Sequence, residues 1–246
     1  MNNYRPMQGI PPVVKNLLII NTLLLFGMFA LERMNIDLTN YLGLFFPGSK
    51  WFLPHQFVTS MFMHANFSHL FFNMFALFMF GRILETVWGG KRFLIYYMVT
   101  GVGAVLLHSL VNYIQAYPIL QNISEQELNL VIDQGKEALM IGKNFVDPDL
   151  SKLNLIYNVP VVGASGAVFG ILLAFGMLFP NTELMLLFPP IPIKAKYFVI
   201  GYGVLELYFG VANFQGDNVA HFAHLGGMLF GFILLKYWKA DRNKFY

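Results

Sequence analysis

The chain has 246 residues, of which 57% are hydrophobic and only 12% charged, and its net charge is +3. A soluble domain carries about 25% charged residues, so this composition leaves too little polar surface for a water-soluble globule. The absence of cysteine excludes disulfides and thiolate metal sites, and the small basic surplus, gathered beside apolar runs, points to membrane topology rather than nucleic-acid binding.

The apolar residues fall in runs of about 20, enough to cross a bilayer as helices. These runs are continuous rather than alternating, which disfavours a barrel. The expected class is an all-α polytopic membrane protein. Residues 1–13 read as a short polar tail. A first span is expected from about Val14 to Arg33, with no small-residue cleavage site near its end, hence an uncleaved anchor. Residues 34–66 are broken by Pro47, Gly48 and Pro54 yet kept apolar by Phe45, Phe46, Trp51, Phe52 and Phe57, a mixture suited to a loop in the membrane interface. A second span follows from Phe67 to Val87, then a basic turn from Trp88 to Arg92 and a third span from Phe93 to Tyr113.

Residues 114–160 form an external insertion, the one extended polar segment. Ser124-Glu125-Gln126-Glu127 has the form of a capping box, and Leu128, Val131, Ile132, Leu139 and Met140 follow at helical spacing. The segment predicts a surface helix resting on lipid headgroups, or else a solvated loop. The fourth span, Ser165 to Phe179, is short for a full crossing. Pro180, Pro189, Pro190 and Pro192 mark a return loop. The fifth span is expected over Lys196–Asn213, the sixth over Val219–Trp238, and a basic tail over 239–246. Six spans put both termini on one side. With that side cytoplasmic, only Arg33, Lys50, Lys136, Lys143 and Lys152 of the 16 basic residues fall outside, as the positive-inside rule favours. Ser165 then lies near the external face.

Chemistry gathers in three places. Gly163-Ala164-Ser165-Gly166 sets one hydroxyl among small residues at the mouth of the fourth span, with Pro160 blocking any earlier helix start. Gly166 and Gly170 alone would read as a helix-packing pair. His69 and Asn73 are four apart, so they share one face at the external end of the second span. Their donors suit a developing oxyanion, although polar groups in membranes also simply join helices. His221 and His224 open the sixth span, and Gly227 and Gly231 would bring it against the fourth. No H-E-x-x-H occurs, and no Asp or Glu within the spans stands at ligand spacing, so no metal is expected.

Taken together, Gly163-x-Ser165-Gly166, His69-x-x-x-Asn73 and Ala223-His224-x-Gly226-Gly227 resemble the rhomboid family of intramembrane serine proteases, in order and in span placement, over roughly residues 14–238. The resemblance implies a six-transmembrane-helix bundle with an interfacial loop after helix 1. It implies Ser165 as nucleophile, His224 rather than His221 as general base, and His69, Asn73 and the Ser165 N–H as oxyanion site. Phe169 would pack on the histidine ring, and Glu85 would be a buried glutamate bracing the second helix. Where many members carry a Trp-Arg pair in the interfacial loop, this chain has His55-Gln56, a departure that bears on the loop's anchoring.

With no Asp or Glu in the fourth or sixth span, Ser165 and His224 are expected to act as a dyad. Glu206, in the fifth span, reads as a helix brace, and residues 214–218 as a mobile lid over the site. The expected activity is serine endopeptidase cleavage of transmembrane segments of single-pass proteins, without a cofactor. The partners are those substrates and membrane lipid, with no nucleic acid. The alternative is a non-proteolytic relative that binds and escorts transmembrane segments.

Overall fold

The computed structural model describes residues 9–185, 190–212 and 219–242. Its elements are α1 (Pro12–Glu32), short α2 (Thr39–Leu42) and α3 (Gln56–Thr59), α4 (Phe67–Ala76), α5 (Arg82–Trp88), α6 (Gly90–Leu120), α7 (Glu125–Met140), α8 (Pro148–Asn158), α9 (Ser165–Leu178), β1 (Glu183–Met185), β2 (Pro192–Lys194), α10 (Ala195–Ala212) and α11 (His221–Arg242). A π-helical turn, Leu77–Gly81, joins α4 to α5, so residues 67–88 run as one rod. Three helices, Pro12–Glu32, Phe67–Trp88 and Gly90–Leu120, are long and apolar enough to cross a bilayer. The outward faces of the helices are apolar: Leu23, Phe26, Phe72, Ile200 and Val204 are each more than half exposed. Such a girdle is stable against lipid and not against water, and the chain is a multi-pass membrane protein.

α9 lies at the centre. Gly166 to Leu172 are all buried, and the helix packs between α6 and α11. Apolar burial gives little net drive between helices already in lipid, so close backbone approach must hold them. Small residues supply it here. A methyl group on Gly166 would sit 2.3 Å from Ala104 Cβ of α6, and one on Gly227 would sit 1.8 Å from the Gly166 carbonyl oxygen. Gly227 thus faces α9 as its spacing suggested. Gly231 does not: it faces Tyr96 and Thr100 of α6. Around this seam Val14, Leu17, Met61, Leu77, Leu84, Phe93, Tyr97 and Ile171 complete the core.

The insertion departs from expectation in two ways. α6 does not end at Tyr113 but continues to Leu120, giving a helix about 46 Å long that projects past the bilayer core. The capping box at Ser124 and Glu127 forms and starts α7, but most of the apolar stripe is turned toward protein, not lipid. Leu128, Val131 and Ile132 join Leu150, Leu153, Ile156 and Tyr157 of α8, an element the sequence reading did not foresee, with Ala116 and Ile119 of α6 and Phe46 of the interfacial loop. Met140, at the stripe's end, is exposed. Asn154 and Asn158 of α8 donate to the Gly135 and Val131 carbonyls of α7, closing the hairpin with polar contacts. The return loop carries a small antiparallel hairpin, β1 against β2.

The segment between α1 and α4 is anchored by Gln56. Its side chain is fully buried; its oxygen accepts from the Phe45 and Leu53 N–H groups, and its amide donates to the Trp51 carbonyl at 3.0 Å. His55 Nε2 meets the Tyr41 carbonyl at 2.8 Å. Leu44 pairs with Val161 through two backbone hydrogen bonds, which ties the loop to the strand-like segment leading into α9.

Candidate active site

Ser165 is the first residue of α9, so its N–H belongs to the group that has no partner within the helix. The chain reaches it through Gly163, whose φ of +132° is one that residues with a side chain rarely adopt. The Gly163 N–H donates to the Ser60 carbonyl at 2.9 Å, which fixes this turn against the loop. A Cβ here would meet the His69 Nε2 at 2.8 Å and the Ser165 Oγ at 3.6 Å, so glycine leaves open the space that these two side chains border.

Across the α9–α11 seam the Ser165 Oγ lies 2.9 Å from the His224 Nε2. Ser165 is partly exposed, while His224 behind it is buried. Phe169, one turn after the serine, stacks on the His224 ring at 4.2 Å between centroids with planes only 7° apart. The ring is therefore held by a face contact and by both nitrogens.

The second nitrogen meets an acidic side chain, although none lies in the fourth or sixth span. His224 Nδ1 lies 2.8 Å from Glu206 Oε2, and His221 Nδ1 lies 2.6 Å from the same oxygen. The acid comes from α10, a helix outside the fourth and sixth spans. A carboxylate only accepts, so Nδ1 of His224 carries the proton and Nε2 presents its lone pair to the serine hydroxyl. Glu206 does join α10 to α11, as a brace would, but through the imidazole that faces Ser165.

The same three residues offer two imidazole nitrogens and a carboxylate oxygen within 4.8 Å of one another, a set that divalent transition metals accept. Spacing along the sequence hid this group because Glu206 arrives from another helix. The separations of 2.6 and 2.8 Å are those of charge-assisted hydrogen bonds.

On the other side of Ser165, Asn66 caps α4 by accepting from the His69 N–H at 2.8 Å. His69 Nδ1 receives the Ala65 N–H at 3.5 Å, a long contact that leaves Nε2 as the donor nitrogen toward Gly163. Asn73 is buried and donates one amide hydrogen to the His69 carbonyl of its own helix at 2.9 Å, which leaves the other available. His64, read only as part of the motif, is buried edge-to-face against His69, and neither of its ring nitrogens has a partner among the described residues. Glu85 sits away from the serine. Its two oxygens accept from the Val13 and Val14 N–H groups at 2.9 and 2.7 Å, so it caps α1 and ties the second rod to the first rather than bracing the second rod alone. The expected lid, 214–218, lies outside the described residues.

A hydroxyl on a base, an oriented imidazole and donors on the opposite side form the arrangement of nucleophilic acyl transfer, here at the end of a helix buried in a membrane bundle. The chain belongs to the rhomboid family: its Rhomboid domain model matches residues 52–239. The chain is 29% identical over 212 residues to an uncharacterised mitochondrial rhomboid protein of Schizosaccharomyces pombe, covering 79% of this chain and 53% of that one. It is 27% identical over 194 residues to the rhomboid protease AarA of Providencia stuartii, covering 76% and 55%. Rhomboid protein 1, mitochondrial, of Saccharomyces cerevisiae is 28% identical over 174 residues, covering 71% and 39%. The chain thus spans about half the length of these relatives or less.

Proposed function

We propose that the chain is an intramembrane serine endopeptidase that cleaves transmembrane segments of single-pass proteins. The observation behind this reading is the 2.9 Å contact between the Ser165 hydroxyl and His224 Nε2 at the start of a buried helix. A similar protein, AarA, bears the name of a protease. The domain would extend over 14–238 as six spans, with the 114–160 insertion outside and the tails 1–13 and 239–246 on the cytoplasmic side.

The chemistry follows from the contacts. A serine hydroxyl is a weak nucleophile until a base accepts its proton, and His224 stands in position to do so. Attack on a carbonyl places negative charge on its oxygen; the Ser165 N–H and His69 Nε2 would donate to it, and the Asn73 amide, one turn along α4 from His69, would add a further donor. His224 then returns the proton to the leaving amine, leaving an acyl-enzyme on Ser165. Water, activated by the same imidazole, releases the acid. Gly163 and Gly166 allow the close approach, Phe169 holds the ring, and Glu85 fixes the scaffold. A helix hides its peptide bonds in internal hydrogen bonds, so a substrate must unwind locally, which favours segments with small or helix-breaking residues near their external end.

The test is labelling of detergent-solubilised protein with a fluorophosphonate, together with cleavage of a single-pass reporter. Both are expected in the wild type and absent in Ser165→Ala. A Ser165→Ala protein that performed the cellular task in full would overturn the reading and favour a non-proteolytic escort of transmembrane segments.

A further inference from the structure

We infer that Glu206 is a positioning residue for catalysis: its carboxylate, delivered by α10, holds His224 in the tautomer that takes the Ser165 proton, so the Ser165–His224 pair works with its base oriented from a third helix. The inference rests on the serine protease reading above.

α10 is a peripheral helix. Among its residues only Ala195, Val199 and Glu206 are buried, while Ile200, Val204, Leu205 and Leu207 face outward. A charge on such a helix is expensive in a membrane interior unless it is paired. A brace alone could have used any polar pair along the α10–α11 contact. Instead, the carboxylate oxygen stands 2.8 Å from Nδ1 of the one imidazole whose Nε2 is 2.9 Å from the serine hydroxyl. His221 approaches the same oxygen from the opposite side at 2.6 Å and its ring stands at 85° to that of His224, so it steadies the carboxylate without competing for the serine.

The electron bookkeeping is that of a base with a fixed orientation. As Ser165 Oγ bonds to carbon, its proton passes to His224 Nε2, and the imidazolium that forms keeps its Nδ1–H on Glu206 Oε2. The carboxylate stays ionised and the positive charge forms 2.8 Å from it. In Glu206→Gln the amide presents an NH2 as well as an oxygen. Turned toward Nδ1, that NH2 stabilises the tautomer with its proton on Nε2, which cannot accept from serine.

Two readouts separate positioning from mere bracing. The first does not depend on turnover: the proton spectrum of the Ser165→Ala, His221→Ala double variant, which leaves one imidazole on the carboxylate, should hold a far-downfield Nδ1–H resonance of His224, lost when Glu206→Gln is added. The second is kinetic. Glu206→Gln should lower kcat about 100-fold, at the low end of what general base catalysis contributes, with KM within about twofold. Glu206→Asp keeps the charge but sits one methylene back, and should recover about tenfold of that loss. If the Gln variant does not fold, Asp carries the test alone, with kcat lowered about tenfold and the resonance moved upfield.

A Gln variant with kcat within about threefold of wild type or an unchanged resonance, or an Asp variant no better than Gln, overturns the positioning role while leaving the protease reading intact. A wild type without Ser165-dependent cleavage overturns both, and is recognised before any Glu206 variant is made.

Discussion

Replacing Gly227 by alanine tests whether the seam between α9 and α11 sets the chemistry. The added methyl would lie 1.8 Å from the Gly166 carbonyl oxygen and 2.7 Å from its carbon, both backbone atoms that cannot rotate away. Ordinary contact begins near 3.4 Å, so the helices must part by about 1.5 Å at this level. His224 stands one turn before Gly227 on the same helix. If even half of that retreat reaches the imidazole, the 2.9 Å contact to Ser165 lengthens beyond hydrogen-bond range. Misplacement by about 1 Å costs roughly 100-fold in rate, while the overpacking itself costs about 1–3 kcal/mol. Gly227→Ala should therefore stay folded and lose about two orders of magnitude in reporter cleavage and in fluorophosphonate labelling. The control is Gly201→Ala on α10, where an added methyl meets nothing within 4 Å; it should leave both unchanged. Gly227→Ala with activity within about threefold of wild type and an unshifted unfolding midpoint would refute the argument.

The other predictions use the same assays. His224→Ala should abolish cleavage, whereas His221→Ala, which leaves the Glu206 contact to His224 in place, should lower kcat by less than about tenfold. Asn73→Ala should cost about 100–1,000-fold in kcat with little change in KM, the size seen when one oxyanion donor is removed. Gln56→Ala removes the acceptor for the Phe45 and Leu53 N–H groups and should raise hydrogen exchange over residues 44–56 while cleavage persists at a reduced rate. Outside the membrane, the Glu127 carboxyl is held below its usual range by hydrogen bonds from the Ser124 N–H and hydroxyl. A depressed carboxyl supports the fold above its unfolded value and loses that support as pH falls through the folded one. The start of α7 should therefore fray in acid below the ordinary carboxylate range, seen as faster exchange at residues 125–128 after correction for intrinsic rates, and Glu127→Gln should remove the pH dependence.

The residues above differ in how legible they were. Ser165, His69, Asn73 and His224 stood out because a polar group in an apolar run is costly enough to need a reason, and Ser165 and His224 also lay beside glycines that signal close approach. The helix start at Ser165 was legible too, since Pro160 forbids an earlier one. Glu206 carries the same cost, but its position in the fifth span reads only as a helix brace, since nothing along the chain ties it to the serine or the base. Its link to His224 spans 18 positions and depends on how α10 leans on α11, which no spacing rule encodes. The α7–α8 hairpin failed for a related reason. An apolar stripe declares that a face is buried and not against what, and the stripe on α7 met α8, which has its own modest pattern, before it met lipid. Gln56 replaced an expected ionic anchor by an amide with both donor and acceptor, a substitution visible only when the three backbone groups it reaches are brought together.

These contacts imply that the helices differ in how far they couple stability to activity. The α6–α9–α11 seam depends on close approach at Gly166, Gly170 and Gly227, so a change there disturbs the bundle and the Ser165–His224 distance together. α10 contributes few buried side chains to the core yet supplies the oxygen that fixes the imidazole. Loosening α10 should cost little in folding free energy and much in kcat. A variant series along α10 would then show rate loss tracking the Glu206–His224 contact, not the unfolding midpoint, while a series along the seam would show the two falling in step.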